Sequence, residues 1–366
     1  MITAVVMVGE GNAGSERATW VQGARRAAAR DLVEQLTRQP LVEKVLLLSP
    51  EPVEATAGPD PHYLTSLAGP IHLGQQLARL VAEEEITHLL YFGGGSAPLL
   101  SDDTLTATVN QLAAADRLVI TNNRYASDWA AVTPAPILAD WVSRLPRDNM
   151  LGWVLSAEAG LPLQAMPPSA ASRLDIDTPL DLQLLRLHPR TKPYLRRYLN
   201  DLPLETQRLQ AVVSVLATPA TRVFIAGRIS PDVWSALNRV TQSWLRVVSE
   251  ERGMVSSGRQ ARGEARSLLA AHVEAVGMDA FFTTLADWAD AALIDTRVLL
   301  AHHGRWPDAD TRFASDLGQV DHVVDEWLRA LTAHALAAPI PILLGGHGLV
   351  AGDLYAICDL LEAPPG

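Results

Sequence analysis

The chain has 366 residues, of which 48% are hydrophobic and 19% charged, with a formal net charge of −11 and an isoelectric point near 5.4. That much apolar material builds a sizeable core and, at this length, two domains; it excludes a disordered chain or a disulfide-stapled miniprotein. The acidic balance repels phosphate backbones and anionic lipid, so neither nucleic acid nor membrane is an expected partner, while assembly into a homo-oligomer is compatible with it.

Residues 3–9 form an apolar run that reads as a buried first strand. The run lacks the basic flank and small-residue cleavage site of a signal peptide, and no stretch reaches the roughly 18–20 apolar residues of a membrane span, so a cytoplasmic location is expected. Residues 15–38 carry Trp20, Ala24, Ala27, Leu32 and Leu36 at helical spacing. Residues 45–49 are a compact strand closed by Pro50, and residues 51–69, rich in Pro, Gly and Glu, read as a loop. A helix over 73–85, a strand over 88–92 running into Gly93, Gly94 and Gly95, a helix over 102–115 capped by Ser101, and a strand over 117–121 follow.

Apolar strands alternating with helices predict an α/β fold with a largely parallel sheet flanked by helices. Ligands bind such sheets beyond the carboxyl ends of the strands, which singles out the loops 9–17, 49–52, 93–98 and 121–129. Further on, residues 137–145 and 150–159 read as helices and 161–166 as a strand. Asp177 or Thr178 is a natural N-cap for a helix that starts at Pro179. Residues 189–210, with Pro189, Pro193 and Pro203, read as a helical connector, and the boundary is placed so that residues 1–203 are one domain and 204–366 a second, mostly helical α/β domain. There, strands are expected at 222–227, 245–249 and 340–344, and helices over most of 265–303 and 321–337. The single cysteine, Cys358, lies in an apolar run and reads as a buried structural thiol.

Asp175 and Asp177 stand two residues apart, and on an extended segment both point the same way. Such a pair suits magnesium, which takes oxygen ligands and keeps waters and phosphate oxygens as the others; it equally suits a capping segment with solvated acids. The first turn, Gly9, Glu10, Gly11, Asn12, Ala13, Gly14, Ser15, Glu16 and Arg17, offers backbone N–H groups and a guanidinium to phosphate, with two acids in opposition. With lysine only at Lys44 and Lys192, anions must be held mainly by arginine, backbone amides or a metal. Asn122, Asn123 and Asp128 lie in a polar stretch after a strand, the usual place for a substrate lip, whereas Asp148 reads as an N-cap. In the C-terminal half, Arg228 precedes a helix start and His347 follows a strand. His302 and His303 are adjacent, so on a helix they point to different faces and make poor joint metal ligands; Asp295 and Arg297 read as an ion pair. No nucleophile elbow is present; Gly9-Glu10-Gly11 meets the first two glycines of the dinucleotide-binding fingerprint without the rest of it, which keeps a Rossmann-type enzyme as an alternative.

The segment Asp175-Ile176-Asp177-Thr178-Pro179-Leu180-Asp181-Leu182 resembles the Asp-x-Asp-Thr-Pro-x-Asp-Leu signature of MobA-like nucleotidyltransferases, the group of the molybdenum-cofactor and phospholactate guanylyltransferases. Tyr91-Phe92-Gly93-Gly94-Gly95-Ser96-Ala97-Pro98-Leu99-Leu100-Ser101 is similar to that family's Gly-Gly-Asp-x-Pro-Leu-Leu motif, and the resemblance spans residues 1–190 only. It implies a GT-A type fold that binds a nucleoside triphosphate and passes a nucleotidyl group to a phosphorylated small-molecule acceptor. Gly9, Gly11, Asn12, Gly14, Arg17, Gly94, Gly95 and Ser96 would then hold the nucleotide, Asp175 and Asp177 would be catalytic through Mg2+, and Asn122, Asn123 and Asp128 would face the acceptor. Ser96 stands where the family has its metal-binding aspartate, and the first turn has no lysine. These departures keep a second reading in play: a catalytically decayed nucleotidyltransferase fold acting as a binding or regulatory protein.

Overall fold

The structure, a computed structural model, describes residues 2–9, 14–49, 62–65 and 72–362, so the expectations attached to Glu10, Gly11, Asn12 and Ala13 lie outside the described residues. The chain forms two compact units. The first comprises Met1–Ala13, Gln22–Ile176 and Arg190–Tyr198; the second comprises Gly14–Val21, Asp177–Pro189 and Leu199–Gly366.

The first unit is built on a sheet of seven strands: β1 (Ile2–Met7), β2 (Val42–Ser49), β3 (His62–Thr65), β4 (His88–Gly93), β5 (Leu118–Thr121), β6 (Trp129–Thr133) and β7 (Leu163–Ala165), in the order β3-β2-β1-β4-β6-β5-β7. Every neighbouring pair is parallel except those made by β6. The expected α/β architecture with a largely parallel, helix-flanked sheet is thus the one observed. Alternation along β1 explains it: Ala4 and Val6 enter a cluster with Ala29, Leu32, Leu36, Leu105 and Val109, while Val5 and Met7 enter another with Leu73, Leu77, Leu80 and Leu138. A strand buried on both faces needs helices on both faces, here Glu16–Thr37 and Asp102–Ala114 on one side and Leu73–Glu83 and Ala135–Arg144 on the other. Each fully buried Leu among them adds roughly 1.5–3 kcal/mol over its exposed state.

Several local expectations are corrected. Trp129 does not end a loop; it opens β6, whose five residues are all buried, and a strand that short carries too little alternation to be separated from its turn by pattern. The span 51–69, read as a loop, contributes β3. The Ala135–Arg144 helix is of the tighter 3-10 kind, and the helix read over 150–159 is a short α-turn, Leu151–Trp153, that widens into a π-helical turn, Val154–Glu158. By contrast, Ser101 caps its helix as expected, its Oγ accepting from the Thr104 N–H at 3.1 Å.

Residues 190–198 belong to the first unit because Asp31 holds them there. Its two carboxylate oxygens accept from the Tyr194 and Leu195 N–H groups at 3.0 and 2.9 Å, satisfying the opening amides of the Pro193–Asp201 helix. The Arg30 guanidinium lies 4.3 Å over the Tyr194 ring.

The second unit has four parallel strands, β8 (Arg222–Gly227), β9 (Trp244–Ser249), β10 (Ala291–Asp295) and β11 (Ile342–Gly345), ordered β11-β10-β8-β9. This agrees with a mostly helical α/β unit and with the mostly helical reading of 265–303, within which β10 is an additional strand: five buried residues between two helices give no period that distinguishes strand from helix. Cys358 is buried in the Gly352–Glu362 helix, and burial pushes its thiol up to about 12, which fits a structural role. Among the described residues no single helix is long and apolar enough to cross a membrane.

Candidate functional site

In the first unit, β1 and β4 run side by side with Met7 opposite Gly93, so the chain leaving each strand starts from the same edge of the sheet. Gly94 sits so close to β1 that a Cβ there would stand 2.6 Å from the Val8 Cα. Gly95 has φ +128°, a conformation side chains rarely adopt, and a Cβ on it would lie 2.9 Å from the Arg25 Cγ and 3.3 Å from the Asp175 Oδ1. The backbone of Ser96 forms an isolated antiparallel bridge with that of Asp175, and the Ile176 N–H donates to the Gly95 carbonyl at 3.1 Å. Arg25 adds to this junction by donating from Nε to the Ile176 carbonyl at 2.6 Å. Two segments read separately in the sequence, the glycine loop after β4 and the start of the aspartate signature, therefore meet. Ser96 itself is buried, and its Oγ donates to the Gly93 carbonyl at 2.7 Å.

The other wall of this edge comes from the loop between β5 and β6. The Gly93 N–H donates to the Asp128 carbonyl at 3.0 Å. Asn122 is buried and exchanges bonds with Asp128: its Nδ2 donates to Asp128 Oδ2 at 2.7 Å, and its Oδ1 accepts the Asp128 N–H at 3.0 Å. Asn123 stabilises the turn, its Oδ1 accepting the Tyr125 N–H at 3.1 Å. The sequence pattern assigns Tyr91 no role. This buried phenol donates to Asp148 Oδ2 at 3.4 Å, and its pKa is raised well above the usual tyrosine value, first by burial and then by the charges of Asp148, Asp128 and Asp175. The charges of three carboxylates thus bear on one phenol at the carboxyl end of β4, and Asp148 also bonds it. Asp148 is not the N-cap expected of it: Arg147 holds the cap position, Asp148 is the first residue of the short helical turn Asp148–Met150, and its carboxylate reaches this edge instead. The signal for it was the polar run Arg147-Asp148-Asn149; a tyrosine inside an apolar strand carries no such signal.

Of the first turn, the structure describes Gly9, whose carbonyl accepts from Gln22 Nε2 at 2.6 Å, and Gly14, which is exposed; Gly11 and Asn12 are outside the described residues. Arg17 is buried in the second unit, where Nε donates to Gln319 Oε1 at 2.6 Å and Nη1 pairs with Asp310 at 3.0 Å. Asp175 and Asp177 fall in different compact units. In the second, the Asp177 and Thr178 N–H groups donate to Asp181 Oδ2 at 2.7 and 2.6 Å, and Thr178 Oγ1 to Asp181 Oδ1 at 3.1 Å, which makes Thr178 the cap of the Pro179–Leu187 helix.

The second unit's polar strand ends are largely committed to one another. Arg228 grips Asp295 with bonds of 2.6 and 3.1 Å, and Arg297 grips Asp316 with two of 2.6 Å, so Asp295 and Arg297 form ion pairs with other partners. Burial alone would raise the Asp295 pKa; the Arg228 guanidinium outweighs it and holds the carboxyl below its usual range. His347 keeps solvent contact in the turn after β11, where crowding and then the Arg228 charge lower its pKa. His302 and His303 do converge, at 3.7 and 3.0 Å from the Glu274 carboxylate, because His303 lies just past the end of the Thr296–His302 helix. These three have ligand atoms within 4.8 Å of one another. However, His302 Nδ1 accepts the Ser267 N–H at 2.9 Å, which leaves the proton on Nε2, the atom facing Glu274, and a protonated nitrogen does not bind metal.

No protein-family model matches the chain, and no curated protein matches it in sequence. Among solved structures it is similar to a provisionally named nucleotide-diphospho-sugar transferase from Desulfovibrio desulfuricans G20, with TM-score 0.39 and 14% identity over 54% of this chain and 96% of that one. It is similar also to a cytidylyltransferase from Leptospira borgpetersenii serovar Hardjo-bovis, with TM-score 0.37 and 17% identity over 56% and 98% of the two chains. A third likeness is to 2-C-methyl-D-erythritol 4-phosphate cytidylyltransferase from Thermus thermophilus, with TM-score 0.31 and 16% identity over 50% and 95%.

Proposed function

We propose that the first unit is nucleotidyltransferase-like. It binds a nucleoside triphosphate beyond the carboxyl ends of β1 and β4 and passes the nucleotidyl group to a phosphorylated small-molecule acceptor. The observation that carries this reading is the Ser96–Asp175 bridge, which joins the two segments that resemble the family at the edge where an α/β sheet takes its ligand. In the reaction, an acceptor phosphate oxygen bonds to the α-phosphorus as the bond to the β-phosphate oxygen breaks, releasing pyrophosphate. Gly94 and Gly95 let the loop pack against β1 and Arg25, and Asn123 and Asp128, the latter held by buried Asn122, form the acceptor lip.

The acceptors this reading would offer a cation are Asp128, Asp148 and Asp175, whose charges all bear on Tyr91; such a set repels a polyphosphate unless a cation intervenes. Asp175 would hold the ion, which when bound neutralises charge on the phosphates. Asp177 lies in the other unit and is assigned no part. One observation favours the alternative, a binding or regulatory protein with a decayed centre: Ser96 offers a neutral hydroxyl already donated to Gly93.

Thermal shift with each of the four nucleoside triphosphates, with and without magnesium, tests the reading. A magnesium-dependent rise with one of them is expected. A rise without transfer activity favours the decayed protein, and no rise with any nucleotide removes the transferase reading.

A further inference from the structure

Beside the acceptor lip, the loop after β5 carries an aromatic and cationic surface that the proposed function leaves unused. Tyr125 is 69% exposed and Trp153 36% exposed. Their centroids are 5.7 Å apart at a tilt of 31°. The Arg124 guanidinium lies 5.1 Å from the Trp153 centroid and 5.7 Å from that of Tyr125, and its Nε has no hydrogen-bond acceptor among the described residues. Stacking, rather than hydrogen bonding at Nε, therefore places this group.

The support beneath the surface is rigid. Ser127 is fully buried, donates to the Asn123 carbonyl at 2.8 Å and accepts the Gly152 N–H at 2.9 Å, while the Ser127 N–H donates to the Asn149 carbonyl at 3.2 Å. Gly152 is pressed against the Arg124 backbone so closely that a Cβ would stand 2.8 Å from its carbonyl oxygen. Trp153 sits where the α-turn widens into the π-helical turn, a distortion often found at functional sites. The same two loops end in Asp128 and Asp148 at the β4 edge.

We infer that Arg124, Tyr125 and Trp153 form a stacking platform for a planar heteroaromatic ring belonging to a molecule bound at this edge. The inference rests on the nucleotidyl-transfer reading for the site it serves and adds the chemical class of the ligand. Two exposed π-faces and a stacked guanidinium recognise a flat, conjugated ring with acceptor atoms at its rim and give nothing specific to a saturated sugar or an aliphatic chain. The ring comes either from the base of the nucleotide or from the acceptor.

The test titrates the full chain with riboflavin, guanosine and, as a non-planar control, ribose 5-phosphate, in the wild type and in Tyr125→Ala, Trp153→Ala and Trp153→Phe. Binding of at least one ring compound is expected, with a loss of about tenfold in the alanine variants, retention in Trp153→Phe, and no binding of ribose 5-phosphate. Tyr125 is exposed, so its loss leaves the fold intact, and equal melting temperatures verify this. If the same variants weaken the nucleoside triphosphate that gives a thermal shift, the ring is the base; if they spare it, the ring is the acceptor's. Ring binding without any nucleotide shift keeps the platform and removes the transferase reading. The platform is overturned if no ring compound binds, if binding is indifferent to Tyr125 and Trp153, or if the alanine variants only dissociate an oligomer.

Discussion

Ser96 and Asp175 are joined main chain to main chain by an antiparallel bridge. The bridge fixes the Asp175 backbone against the glycine loop whatever its side chain does, so charge and structure at this position can be varied separately.

Replacing Ser96 by aspartate should therefore add a carboxylate beside an existing one without moving the bridge. We expect Mn2+, used as a paramagnetic stand-in for magnesium, to bind about tenfold more tightly to Ser96→Asp, as read by the loss of its free-ion spectrum. Unchanged affinity would separate position 96 from any cation site.

Asp31 accepts two amides at the start of the Pro193–Asp201 helix. Asp31→Ala leaves two amides, one of them buried, without their acceptor and should cost about 1–3 kcal/mol in urea unfolding, with fast hydrogen exchange appearing in residues 194–198. A stability change below about 0.5 kcal/mol would show that water replaces the carboxylate.

Asp353 is 2% exposed and faces Asp181 across the Gly348 turn, where a Cβ on the glycine would lie 2.9 Å from one carboxylate and 3.6 Å from the other. Burial, then the Asp177 charge, pushes the Asp353 carboxyl up to about 7. A folded-state pKa raised above the unfolded 3.8 means that the native protein holds the proton more tightly. The resulting stability is present in full below the unfolded value and lost as pH rises through about 7. Asp353→Asn, which cannot ionise, should flatten this slope and be more stable than the wild type at pH ~8 by about 1–3 kcal/mol. Parallel melting-temperature curves for the two proteins across that range would contradict it.

How much of this was legible in the sequence follows from how local each signal is. Both central strands, β1 and β4, were readable because their apolar runs end at glycine, and the caps Ser101 and Thr178 because a cap acts within one helical turn. β6 and β10 were not, since five buried residues have no decisive period. The motif residues Gly95, Ser96 and Asp175 were named, but only the fold could bring them together. Arg17 is tied to Asp310 and Gln319, which no local pattern announces. Tyr91 opens the motif segment but was given no role, because a buried phenol looks like core until the charges around it are seen.

The most direct measurement is a calorimetric titration of the magnesium complex of the responsive nucleoside triphosphate into the wild type and Asp175→Asn. Asp175→Asn should fold with an unchanged melting temperature and lose at least tenfold in affinity for the magnesium complex, while the weak magnesium-free binding stays the same. Equal affinities for the two proteins in the presence of magnesium would contradict a cation held by Asp175, and with it the transfer chemistry placed at this edge.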